Sequence, residues 1–329
     1  PHQKISPSLQ KKAIILGISG QDGLYLTNQL VDAGYQVIGV CRNPMVRKDR
    51  AYLQLHNRQN VTLRYFDAQD SLKLNALFDE CKPVEIYNLA GDSSITESFI
   101  KPVSAVDSNI KVALNCLEYV RTKAPEIKYF NACSSECFGK QGGAAASETT
   151  PFQPISPYAV GKACAYSITK TYRDLYGIFA CSAILFNHES RFRGSQFVSQ
   201  KIVSGARLIA EKRMSHLELG DLTIERDWGW APEYVDGIYR IMQFRVAEDF
   251  VLATGESNKL STFVDAAFSY YGLNWENWVV STQRYFRPVD IEKNCGNPSK
   301  ARRELGWVAK YRIKDIVTDI AGGAVDALI

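Results

Sequence analysis

Short apolar runs rich in β-branched residues alternate with amphipathic stretches through the first half of the chain. Strand-length runs lie at Ala13–Gly17, Gln36–Val40, Thr62–Tyr65, Glu85–Leu89, Lys128–Ala132 and Ala180–Leu185. Between them, Gly23–Ala33, Ser71–Glu80, Val106–Lys123 and Tyr158–Tyr176 carry helical spacing. That alternation predicts βαβ units, and so an α/β protein with a doubly wound parallel sheet of Rossmann type. From Phe186 the rhythm changes: aromatic, basic and loop-forming residues come in less regular order, as in Asn187–Arg193, Arg226–Trp230 and Arg284–Pro288. The expectation is a Rossmann domain over residues 1–186 and a smaller, partly interleaved α/β part over 187–329. A strand within 225–255, Phe250–Ala253, is expected to return to the sheet.

At 329 residues, with 46% hydrophobic and 22% charged positions, the chain has the length and composition for a buried core and no mark of disorder. Its 39 basic and 35 acidic residues leave +4, spread along the whole chain, which argues against nucleic acid as a partner. No apolar run nears the ~20 residues of a membrane helix, and residues 1–12 are polar rather than signal-like. A cytoplasmic protein with no membrane association is expected. Eight cysteines and four histidines form no CxxC pair and no metal-ligand spacing. Free thiols and no metal are therefore expected, Cys133 and Cys137 included.

The first strand runs straight into Gly17-Ile18-Ser19-Gly20-Gln21-Asp22-Gly23 and then a helix. In a dinucleotide loop of this GxxGxxG spacing, Gly17 permits the tight turn. Gly20 lets backbone approach a pyrophosphate, and Gly23 lets the helix pack on the strand. The helix N-terminus offers free N–H groups to the anion. After the second strand the chain reads Val40-Cys41-Arg42-Asn43, with Arg47, Lys48 and Arg50 following. No carboxylate stands where NAD would be read by its ribose hydroxyl, whereas Arg42 suits a 2′-phosphate, so the expected cofactor is NADP. Asp67, after the third strand, is either an acceptor for the adenine amino group or a helix cap.

Tyr158 and Lys162 form a YxxxK pair on one face of a helix that opens after three prolines. An ammonium beside a phenol is expected to bring the phenol down toward working range, where it takes the proton of an alcohol as hydride leaves. Upstream, Ser134-Ser135-Glu136 closes the fifth strand, at the carboxyl ends where open α/β sheets bind ligands. Ser134 supplies a hydroxyl donor. Glu136 adds a second base, suited to removing a carbon-bound proton alpha to a ketone. That proton turns acidic only after the neighbouring alcohol is oxidised.

With these residues the chain resembles the GDP-mannose 4,6-dehydratases of the extended short-chain dehydrogenase/reductase superfamily. The resemblance runs through GISGQDG (17–23), EIYNLA (85–90), Ser134–Glu136, SPYAVGK (156–162), ILFNHES (184–190), RDWG (226–229), ATGES (253–257), FRP (286–288) and LGW (305–307). It implies Ser134, Glu136, Tyr158 and Lys162 as catalytic positions, with serine where many members carry threonine. It implies Gly17, Gly20, Gln21, Asp22, Gly23, Arg42, Asp67, Leu89, Ser93, Tyr158 and Lys162 for NADP, and Asn187, Glu189, Arg193, Lys201, Gly220, Arg226 and Arg287 for the nucleotide sugar. The implied partners are a GDP-sugar and further copies of the chain, as a homodimer or homotetramer. The implied reaction is a lyase turning GDP-mannose, or a close GDP-sugar, into its 4-keto-6-deoxy derivative by internal hydride transfer through bound NADP. Two departures stand out. Gly91-Asp92-Ser93-Ser94 replaces the family's Ala-Gln-Ser, and Arg42-Asn43-Pro44-Met45-Val46 replaces a loop of paired arginines and serines. A GDP-heptose 4,6-dehydratase would look much the same. A nucleotide-sugar 4-epimerase or 4-reductase would not need Glu136, and a non-catalytic NADP-sensing protein would need none of the four catalytic residues.

Overall fold

The computed structural model describes residues 10–44, 59–91, 93–140 and 142–322. The apolar runs form β1 (Lys12–Leu16), β2 (Gln36–Cys41), β3 (Val61–Tyr65), β4 (Glu85–Asn88), β5 (Lys128–Ser134) and β6 (Ala180–Leu185). Four short strands follow, β7 (Asn187–Glu189), β8 (Leu217–Leu219), β9 (Glu225–Arg226) and β10 (Trp228–Trp230), before β11 (Phe250–Leu252). The central sheet has seven strands in the order β11-β6-β5-β4-β1-β2-β3. Every pairing in it is parallel. The predicted strands match to within a residue or two, and Phe250–Leu252 does return, beside β6.

Side chains alternate across the sheet, so one strand feeds two cores. Ala13 and Ile15 of β1 pack in one core with Leu24, Leu26 and Leu30 of α1 (Gln21–Asp32), while Ile14 and Leu16 face the other way. The second core holds Leu74, Leu77 and Phe78 of α2 (Ser71–Cys81). A six-residue helix, α3 (Ile95–Ile100), leads into α4 (Pro102–Lys123), whose Val112, Cys116 and Leu117 join that second core. Helix α4 starts four residues before the predicted Val106. Pro102 at its first position has no N–H to lose there and a backbone already set for a helix. Helix α5 (Pro157–Tyr176) opens in the same way, with the Ser156 hydroxyl accepting from the N–H of Ala159 at 3.2 Å.

The later half contributes to both parts. Helix α6 (Val198–Ala210) belongs to the second part, whereas Tyr234, Val235, Ile238 and Ile241 of α7 (Ala231–Gln243) pack in the first core against the sheet. A third core lies apart. There Ile202 and Val203 meet Phe263, Val264 and Phe268 of α8 (Leu260–Tyr270), together with Trp228 and Trp230. Helix α9 (Ser299–Leu305) precedes α10 (Ile313–Ile320), which closes that core through Ile316 and Val317. Among the described residues, no helix is long and apolar enough to cross a membrane.

Candidate active site

At the carboxyl ends of β1, β2 and β4 lies a cleft of about 300 Å³. It is lined by Gly17, Gly20, Gln21, Asp22, Gly23, Arg42, Asp67, Leu89 and Ser93, every position expected there for a dinucleotide apart from Tyr158 and Lys162. Gly17 has φ +84°, and a Cβ on it would sit 2.9 Å from the Leu89 carbonyl oxygen. A Cβ on Gly23 would stand 2.6 Å from the Ile18 backbone. Both positions therefore exclude side chains. Gly20 is the N-cap of α1 and brings no side-chain acceptor, so the N–H groups of the first turn keep their positive end for an anion. The residues fit a dinucleotide.

Asp67 does not cap a helix. Its Oδ1 accepts from the N–H of Gln69 at 2.9 Å, while Asp70 caps α2 by accepting from Lys73 N–H at 3.1 Å. Arg47, Lys48, Arg50 and Asp92 lie outside the described residues.

Gln21 and Asp22 line the cleft, but their polar atoms reach across to β7. Gln21 Nε2 donates to the His188 carbonyl at 3.0 Å, and the Ser190 hydroxyl donates to Gln21 Oε1 at 2.8 Å. Asp22 Oδ2 stands 2.9 Å from His188 Nε2, and His188 stacks on Tyr234 with ring centroids 4.8 Å apart. Burial disfavours charge on both partners of this pair. Their mutual attraction outweighs it, holding Asp22 below and His188 above their usual ranges. The glycine-rich loop is thus locked to the second part of the chain.

Ser134, Glu136, Tyr158 and Lys162 come together, all at most 9% exposed. Ser134 ends β5, and its hydroxyl accepts from Glu136 N–H at 3.3 Å, capping a short 3-10 turn over Ser135–Phe138. The Ser134 hydroxyl also draws the Tyr158 phenol down. Cys133 and Cys137 are free thiols with sulfurs 3.7 Å apart. Cys137 Sγ donates to the Ala159 carbonyl, tying the turn to α5. Lys162 does not bring the phenol down as expected. Burial pushes Tyr158 well above its usual value, and burial likewise lowers Lys162, whose Nζ donates to the Ala132 carbonyl at 3.0 Å. Desolvation dominates at both groups, and Lys162 spends its ammonium on the Ala132 carbonyl. Glu136 is raised by burial, which exceeds the opposing pull of Arg226 and Arg287.

The seven positions expected for the sugar nucleotide divide. Arg226 and Arg287 act electrostatically on Glu136, as just described. Lys201 Nζ sits 3.7 Å above the Tyr285 ring. Gly220 lies against the same segment, where a Cβ would come within 2.7 Å of the Tyr285 carbonyl. Asn187 begins β7, which pairs parallel with β10. Glu189 is 3% exposed, and its Oε2 is committed to Ser199 at 2.6 Å and Arg193 at 3.2 Å. Arg193, stacked 3.6 Å over Phe197, lines the dinucleotide cleft and also draws the Tyr158 phenol down. Glu189 thus joins Arg193 to the start of α6 through Ser199.

Three residues at the site were not singled out from the sequence: His188, Asp290 and Asn294. Asn294 donates to Ser135 Oγ at 3.0 Å, beside Glu136. The signal for His188 was present, since three polar residues in a row (Asn187, His188, Glu189) follow an apolar strand without a turn. Asp290 and Asn294 carried no such signal.

A family model described as GDP-mannose 4,6 dehydratase matches residues 14–320. The chain is similar to "GDP-mannose 4,6 dehydratase 2" of Arabidopsis thaliana, at 41% identity over 318 residues, covering 94% of this chain and 85% of that one. In fold it is similar to a dTDP-glucose 4,6-dehydratase from Bacillus anthracis solved with NAD, at TM-score 0.82 and 19% identity over 95% of this chain and 96% of that one. It is also similar to RMD from Pseudomonas aeruginosa complexed with NADPH, at TM-score 0.77 and 20% identity over 96% and 98%.

Proposed function

The chain belongs to the GDP-mannose 4,6 dehydratase family, and from that membership we propose that Glu136, Tyr158, Ser134 and Lys162 carry out a 4,6-dehydration of GDP-mannose. The enzyme is a lyase that converts GDP-mannose to its 4-keto-6-deoxy derivative with a bound nicotinamide dinucleotide. When bound, the dinucleotide would supply a reversible hydride acceptor for the sugar. Gly17, Gly20, Gly23, Asp67, Leu89 and Ser93 would hold it, and Arg42, which lines the same cleft, would favour NADP by pairing with a ribose 2′-phosphate.

Positive charge at the site, as a bound nicotinamide would bring, would lower the Tyr158 phenol until its proton passes to solvent and a phenolate base remains. It then accepts the 4-hydroxyl proton. Lys162 holds the end of β5 through the Ala132 carbonyl. Glu136 removes the C5 proton, acidic once C4 is a ketone, and water leaves from C6. A carboxyl raised by burial is matched to such a proton transfer near neutral pH.

One observation carries the reading: Glu136 is a buried carboxylate in the same cluster as Tyr158, under two arginines. Incubation of the protein with GDP-mannose should give a product lighter by one water in mass spectrometry. An unchanged mass with inverted C4 would replace dehydration by epimerisation.

We also propose a cytoplasmic homodimer or homotetramer. Its supports are the free thiols and an apolar groove where Pro102 and Val106 meet Ile155 and Val160, rimmed by Val103 at 79% exposure.

A further inference from the structure

We propose that Asp290 is a positioning residue for the nucleotide diphosphate, a carboxylate that aims Arg287 into the site and pins Arg226 beside Glu136. The proposal rests on the GDP-sugar reading above. Arg226 is 3% exposed and engaged at both terminal nitrogens. Its Nη1 donates to the carbonyls of Ile291 at 2.6 Å and Glu225 at 2.9 Å, and its Nη2 donates to Asp290 Oδ1 at 2.6 Å. A guanidinium with both terminal nitrogens committed acts as a fixed charge, not as a fork that must swing onto a ligand.

Arg287 differs. Its side chain is 29% exposed, and its Nη1 reaches the same Asp290 Oδ1 at 3.2 Å. The longer, wetter contact is the one a diphosphate can replace with stronger charge-assisted bonds. Asp290 is itself held, because its Oδ1 also accepts the Ile291 N–H at 2.9 Å. Two cations thus share one anion. The carboxylate keeps Arg287 ordered before an anionic ligand arrives, which reduces the ordering cost of binding.

The same trio faces Glu136. Arg226 and Arg287 draw its carboxyl down, Asp290 pushes it up, and Tyr158 faces it from α5. Neutralising Asp290 leaves both arginines uncompensated, so Glu136 loses its proton at lower pH. A residue needed only for folding would not move that titration.

Asp290→Asn keeps the shape and an acceptor oxygen but removes the charge. Calorimetry with GDP should show binding weakened roughly tenfold, the loss of about one charge-assisted contact. KM for GDP-mannose should rise by a similar factor. Dinucleotide affinity should stay at the parent value, and the acid limb of the kcat profile should move to lower pH. Asp290→Glu should return that limb to the parent position while GDP still binds more weakly, because the longer arm displaces Arg287. Parent-like GDP affinity and acid limb in Asp290→Asn would overturn the proposal. So would a parallel fall in GDP affinity, dinucleotide affinity and melting temperature. If Asp290→Asn does not fold, Asp290→Glu decides alone, and parent-like GDP affinity there overturns the proposal. GDP binding needs no turnover, so a parent protein that binds GDP but never releases water would end the dehydratase reading and leave this test intact.

Discussion

The dinucleotide cleft presents exposed side chains on strand ends, Arg42, Asp67 and Ser93, around a bare glycine-rich turn. The pocket beside it is the reverse: Glu136, Tyr158, Lys162 and Arg226 are each at most 9% exposed. In the cleft, recognition comes from backbone geometry and single charges in contact with water. In the pocket, ionisable groups are withdrawn from water, so each proton affinity is set by neighbours from distant parts of the chain. Loss of one group should therefore cost far more in the pocket than in the cleft.

The largest expected effect is at Glu136. Glu136→Gln keeps size but removes the base, and general-base loss costs ~10²–10⁴ in rate. The variant should still show the absorbance of reduced nicotinamide on meeting the sugar, yet release no water and take no solvent deuterium at C5. Tyr158→Phe should show neither signal. Dehydration by Glu136→Gln at the parent rate would remove Glu136 as the base.

In the cleft, Arg42→Ala should weaken NADP by roughly ten- to a hundredfold, from a contact worth about 1.5–3 kcal/mol, and leave NAD nearly unchanged. Dinucleotide titrations check this. Equal NAD and NADP affinities in the parent would show that Arg42 does not discriminate.

The smallest effect probes the seam between the two regions, the Asp22–His188 pair. His188 holds its proton more tightly folded than unfolded. Its contribution is therefore whole below the ordinary histidine value of about 6.5 and fades as pH rises through the lifted one. Asp22 is depressed, so its contribution fades as pH falls through its lowered value. His188→Asn should cost about 1–2 kcal/mol of stability near pH 5–6, and less at pH 9. A deficit in melting temperature that does not change with pH would mean the pair is not ionic.

The sequence by itself determined the sheet, the glycine-rich turn and the YxxxK helix. Each rests on local rules: alternation with period two on Ile14 and Ile15, a turn at Gly17 that excludes Cβ, and a proline and serine that start α5. It also placed Ser134 and Glu136 at a strand end, where ligands bind. Only the tertiary structure decided what the buried charges do. Glu189 holds Arg193, four residues on, and Ser199, ten residues on, because β7 meets the start of α6 there. Asp290 reaches Arg226 across 64 positions of chain. The Tyr158 phenol goes up rather than down because desolvation, which no spacing records, outweighs the opposing pull of Ser134 and Arg193. Periodicity and turns act between near neighbours and can be read in order along the chain. Proton affinities depend on the whole surroundings of a group, and those exist only once the chain has folded.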